Sequence, residues 1–180
     1  LLGSLGVPQD AAESQRRETL AGWITQKRNP LTARIIVNRV WQFHFGIGLV
    51  ETASDFGLNG AKPSHPELLD WLAHDLMSHD WSLKHLHRRI LSSETWQQSN
   101  RIDLEAKNVD ADCRLLWRYP ARRVEAEIIR DTLLQVSGRL NYKMGGPGFD
   151  FFKSRGGLSG FPPVKNVEEK GLRRMVYAHK

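Results

Sequence analysis

Apolar positions fall into helical rows along most of the chain. The first row, residues 11–26, carries Leu20, Trp23 and Ile24 as an apolar edge, with Asp10 the expected N-cap and Glu13 three positions on. Asn29-Pro30 starts a second helix, the asparagine capping and the proline taking the first helical position, where a missing N–H does no harm. That helix, 31–45, is apolar nearly all round, through Leu31, Ala33, Ile35, Ile36, Val37, Val40, Trp41, Phe43 and Phe45. Such a helix is expected to be buried. Arg34, Asn38, Arg39, Gln42 and His44 are threaded through it, and polar groups in a core need partners. Gly46 and Gly48 supply the permissive backbone that ends it.

A loop at 51–62 carries Asp55-Phe56-Gly57 and Asn59-Gly60. Ser64-His65-Pro66-Glu67 reads as a capping box, with Ser64 the cap of a helix at 67–78 that spaces Leu68, Leu69, Leu72 and Leu76 on one side. Ser82 opens the next helix. Leu83, Leu86, Ile90 and Leu91 form its buried stripe, and Lys84, His85, Arg88 and Arg89 form a basic face opposite. Residues 100–112 read as a connection. A fifth helix, 123–140, offers Val124, Ile128, Ile129, Leu133, Val136 and Leu140 as its apolar side. Between Met144 and Pro163 lie six glycines, so 144–165 reads as a long loop. The weak alternation of Arg173 to Tyr177 is compatible with a short terminal strand. The pattern predicts a mainly α fold: a compact domain of about five helices over 17–180, after a leader at 1–16. The first residue is not methionine and the end is apolar, so both ends are expected to be cuts within a longer polypeptide.

The 180 residues, 40% hydrophobic and 26% charged, match an ordinary globular domain. No run approaches the ~20 apolar residues of a membrane span. The single cysteine, Cys113, excludes an internal disulfide, a cysteine-based metal site and covalent haem attachment in this chain. It reads as a small buried filler sooner than a reactive thiol. A net charge of +6 permits an acidic partner, but 26 Lys and Arg offset 20 Asp and Glu. The basic face and Arg118, Arg122 and Arg123, with tryptophans nearby, match no nucleic-acid motif, so nucleic acid is not the expected partner.

The seven histidines show no ligand spacing along one helix: His85 and His87 are two apart, His74 and His79 five. No metal is expected from that pattern. Glycine-rich Met144-Gly145-Gly146-Pro147-Gly148 is turn chemistry, not a phosphate loop. The most specific signal is a set of charges on helices that must pack: Arg39, Asp55, His65, Arg123, Glu125, Arg130 and Asp131, with Glu127 beside them. A buried Arg39 requires a carboxylate, Asp55 or Glu125. Such a network either lines a pocket or is structural.

Several stretches together resemble one family. They are Asn29 to Arg34, Val37-Asn38-Arg39-Val40-Trp41-Gln42, Ser54-Asp55-Phe56-Gly57, His65-Pro66-Glu67-Leu68-Leu69-Asp70-Trp71-Leu72, Leu115-Leu116-Trp117-Arg118, and Arg122-Arg123 through Arg130-Asp131. The chain is similar, from about Arg17 on, to the planctomycete cytochrome-associated domain known as domain of unknown function 1553. That resemblance carries no activity onto residues. It implies an extracytoplasmic setting, neighbouring domains of the same polypeptide as partners, and haem c in one of those neighbours, with no cofactor here. The expected role is a structural or interaction module. The alternatives are a polysaccharide-active enzyme with paired carboxylates among Asp55, Glu125, Glu127 and Asp131, and binding of acidic polymers through the basic face.

Overall fold

Each of the five expected helices forms, and two short ones join them. The computed structural model describes residues 11–153, 163–165 and 169–179. In chain order the helices are α1 (Glu13–Thr25), α2 (Pro30–Phe45), α3 (Pro66–Ser78), α4 (Leu83–Leu91), α5 (Glu94–Gln97), α6 (Leu104–Val109) and α7 (Ala126–Val136). Two 3₁₀ turns follow, Glu169–Leu172 and Met175–Tyr177. The chain divides into two units, Leu1–Ala121 and Arg122–Lys180. No glycine- or proline-rich linker marks that junction in the sequence.

Capping explains several boundaries. The Asn29 side chain accepts from the Leu31 N–H, and Ser82 accepts from that of His85. Ser64, expected to cap α3, does not: the cap position falls on His65, without a side-chain bond, and the Ser64 hydroxyl donates to the Leu49 carbonyl instead. The Asp10 cap expected for α1 lies outside the described residues. Within the stretch read as a connection, Asp103 caps α6 by accepting from the N–H groups of Glu105 and Ala106. The carboxyl end of α7 comes early because Gly138, at φ 70°, turns the chain away.

The core of the first unit lies among α2, α3 and α4. Ala33, Val37, Trp41 and Phe45 of α2 meet Leu69, Leu72 and Leu76 of α3, and Leu86 and Ile90 of α4. Trp41 stacks on Phe45 with ring centroids 4.2 Å apart, and Trp96 and Tyr119 close over Phe45 edge-on or tilted. The second helix is not buried all round as its composition suggests: Phe43 is 73% exposed and Arg39 is also exposed. Its buried polar residue is Asn38, fully enclosed. The Asn38 amide donates to the Val50 carbonyl at 2.9 Å, and its oxygen accepts from the Val50 N–H at 2.8 Å. One side chain thereby completes both backbone groups of a buried loop residue.

The second unit is pinned by arginines. Arg173, 5% exposed, donates to the carbonyls of Lys143, Gly145 and Pro147 and lies over the Tyr177 ring at 3.7 Å. Arg130 donates to the carbonyls of Gly171 and Arg173. The expected terminal strand is not there: Met175–Tyr177 is a 3₁₀ turn, and Arg173 and Ala178 make only isolated bridges, to Asn141 and Phe149.

Candidate functional site

The helix α7 carries the most conspicuous surface of the second unit. Ile128, Ile129, Leu133 and Val136 fall within an arc of about 140° at 3.6 residues per turn. All four are exposed, Leu133 by 66% and Val136 by 83%. Among the described residues α7 buries none. Beside it opens a hollow of about 620 Å³ lined in part by Glu125, Glu127, Asp131, Arg174 and His179.

The charges singled out in the sequence separate into local tasks. Asp131 accepts from the Met175 N–H with both carboxylate oxygens, at 2.9 and 3.0 Å, and contacts Arg130 at 3.3 Å. It therefore fixes the last 3₁₀ turn. Glu125 is exposed at the start of α7, and Arg123 precedes the helix. Asp55 is an exposed turn former whose carboxylate accepts from the Gly57 N–H at 2.8 Å. His65 contacts the Ser64 hydroxyl at 3.0 Å. Because Arg39 points to solvent, it needs no carboxylate inside the fold.

The basic face of α4 is likewise divided. Lys84 and Arg88 are exposed, whereas His85 and Arg89 turn toward Asp75 of α3. The Asp75 side chain is only 9% exposed, and a carboxylate so buried requires partners. His85 Nε2 lies 2.8 Å from it, His79 Nδ1 3.3 Å, and Arg89 Nε 3.8 Å. The His79 and His85 rings stack at 3.7 Å. On the other side of α4, His87 Nδ1 meets His44 Nε2 of α2 at 2.8 Å. Spacing along single helices misses both pairs, because each joins two helices. The available signal was Asp75 and His79 at i, i+4, facing whatever the next helix brings.

These features define a mainly helical domain, one unit packed around an apolar core and the other clamped by arginine-to-carbonyl bonds. The PSD1 family, described as a protein of unknown function (DUF1553), matches residues 16–180, and the chain belongs to that family. No curated protein and no solved structure matches it. Among the described residues no helix is long and apolar enough to cross a membrane.

Proposed function

We propose that this chain is a non-catalytic interaction module that docks, through α7, onto a neighbouring domain of the same polypeptide. The observation that carries this is the exposed apolar arc of Ile128, Ile129, Leu133 and Val136. An amphipathic helix is stabilised mainly by covering such a face, so the face calls for a partner. The resemblance to cytochrome-associated domains supports a setting outside the cytoplasm, in a protein whose neighbouring domain carries haem c.

The enzyme reading has less support. Of its four carboxylates Asp131 is held by a backbone N–H and Asp55 by a turn. Binding of acidic polymers is weakened as well, since Asp75 takes up His85 and Arg89 of the basic face.

Amide exchange tests the proposal. The full-length protein should protect Ala126–Val136 well beyond the protection found in this chain alone, and the pair Leu133→Ser, Val136→Ser should abolish the difference. Equal exchange in the two proteins rejects docking through α7.

A further inference from the structure

The reversal between α3 and α4 is tight and conformationally costly. Asp80 and Trp81 both take positive φ, 52° and 57°, without being glycine. Residues with side chains enter that region at a conformational cost, unless local bonds offset it. Here the Trp81 N–H donates to the Leu76 carbonyl at 2.9 Å, and the Ser82 N–H to that of His79 at 3.0 Å. The turn folds the first residues of α4 back over the last turn of α3. His79, at the carboxyl cap, and His85, on the first turn of α4, thereby close on Asp75.

We propose that Asp75, His79 and His85 bind a divalent transition-metal ion of the zinc type. One ligand atom from each residue lies within 4.8 Å of the other two. Two imidazoles and a carboxylate are the donor set that zinc, iron, cobalt and nickel accept. Bonds of about 2.0–2.2 Å in a tetrahedral shell space the donors about 3.4 Å apart. His79 Nδ1 stands 3.3 Å from Asp75 Oδ1 and His85 Nε2 2.8 Å from Oδ2, so both imidazoles face the one carboxylate, and small shifts bring one donor atom of each residue to that spacing. Asp75 is buried, which fixes the anionic ligand. His79 is 47% exposed in its side chain, which leaves an approach for the ion and room for further ligands from solvent.

Two features define what binding must change. The imidazoles are nearly parallel, 12° apart in plane, and an ion lies in the plane of each ring that ligates it. One ring must leave the stack. That ring is His79, because His85 is only 22% exposed. His79 Nδ1 now lies 2.9 Å from the Asp75 carbonyl and 3.3 Å from the Ser78 hydroxyl, contacts the metal bond replaces. The second feature is Arg89, whose guanidinium competes for Asp75 at 3.8 Å and also sits 5.6 Å from the Trp71 ring. It can withdraw onto Trp71, about half exposed, when a cation takes the carboxylate. Arg89 therefore weakens the site, and removing its charge strengthens it. This inference stands apart from docking through α7, since every residue it uses lies in the first unit.

The test is a calorimetric titration of the untagged chain with Zn²⁺, and with Co²⁺ read by its visible absorption. One equivalent binds, and the cobalt form shows the intense bands of a four-coordinate ion. His79→Ala and His85→Ala each weaken binding by more than about 100-fold, since even outer-shell changes cost about 10–100-fold. Arg89→Gln tightens it. His87→Ala, which breaks the pair with His44 on the other side of α4, leaves it unchanged. Circular dichroism checks that each variant is folded. Should His85→Ala unfold, the more exposed His79→Ala and Arg89→Gln still decide the matter. No saturable binding to the parent chain, or binding that survives His79→Ala and ignores Arg89→Gln, overturns the proposal.

Discussion

Replacing Asn38 with alanine removes one side chain and leaves two backbone groups without partners. The Val50 N–H and carbonyl, in a residue 2% exposed, have Asn38 as their partner at 2.8 and 2.9 Å. The loop cannot simply swing out to water. In the two residues just before it, the Ser64 N–H holds the Leu49 carbonyl at 2.9 Å and Arg114 holds that of Gly48 at 3.1 Å. An orphaned buried polar group costs about 1–3 kcal/mol, so Asn38→Ala is expected to cost the first unit about 2–6 kcal/mol. Against a typical stability of about 5–15 kcal/mol that is a large fraction.

All six tryptophans precede Ala121, so urea unfolding followed by tryptophan fluorescence reports the first unit alone. A midpoint shift with unchanged slope gives the loss directly. Asn38→Asp separates the two bonds. Its carboxylate still accepts from the Val50 N–H but sets an anionic oxygen against the Val50 carbonyl. Burial without a cation raises its folded-state pKa above the ordinary ~3.9. The deficit of this variant therefore shrinks as pH falls from that raised value toward ~3.9, where the neutral acid can donate to the carbonyl. A loss below about 1 kcal/mol for Asn38→Ala, or an Asn38→Asp deficit that ignores pH, refutes the two-bond account.

Other substitutions probe the rest of the fold. Gly48→Ala places a Cβ 2.6 Å from the Asn38 amide nitrogen and from the Val50 carbonyl oxygen, and costs about 1–3 kcal/mol by the same fluorescence assay. Part of that cost disappears in the Asn38→Ala background, a coupling visible in a double-mutant cycle. Leu76→Ala, at a fully buried position, costs about 3–5 kcal/mol in urea unfolding. Arg173→Met releases three loop carbonyls and should speed amide exchange at Gly145 and Phe149.

Helix positions were legible wherever a local signal decides them. Asn29-Pro30 and Ser82 mark starts by capping chemistry that needs no tertiary context. Ser64 failed because its hydroxyl found a carbonyl fifteen residues back, which no local pattern encodes. Asn38 and Arg39 looked alike as polar residues in an apolar helix, but periodicity separates them. Measured from Val37 at about 100° per residue, Asn38 lies near the buried Phe45 and Arg39 lies opposite. The partnership of Asp75 with His85 was out of reach. It depends on a left-handed turn at Asp80 and Trp81, where no glycine announces it.

The second unit shows why its apolar face was legible and its setting was not. Periodicity in 126–136 says that Ile128, Ile129, Leu133 and Val136 share a side, but not what covers that side. Among the described residues after Ala121, Phe149 alone of the hydrophobic residues is buried. Apolar burial therefore contributes little here, and the structure is held by Arg130, Arg173 and Asp131 acting on backbone groups. Such a clamp fixes a shape without consuming an apolar surface. Covering Leu133 and Val136 alone is worth about 2–4 kcal/mol. A partner that supplied this cover would stabilise the second unit by mass action. Exchange at Gly145 and Phe149 should then slow with α7 when such a partner is bound. Protection confined to α7 would mean that the clamp and the docking face are energetically independent.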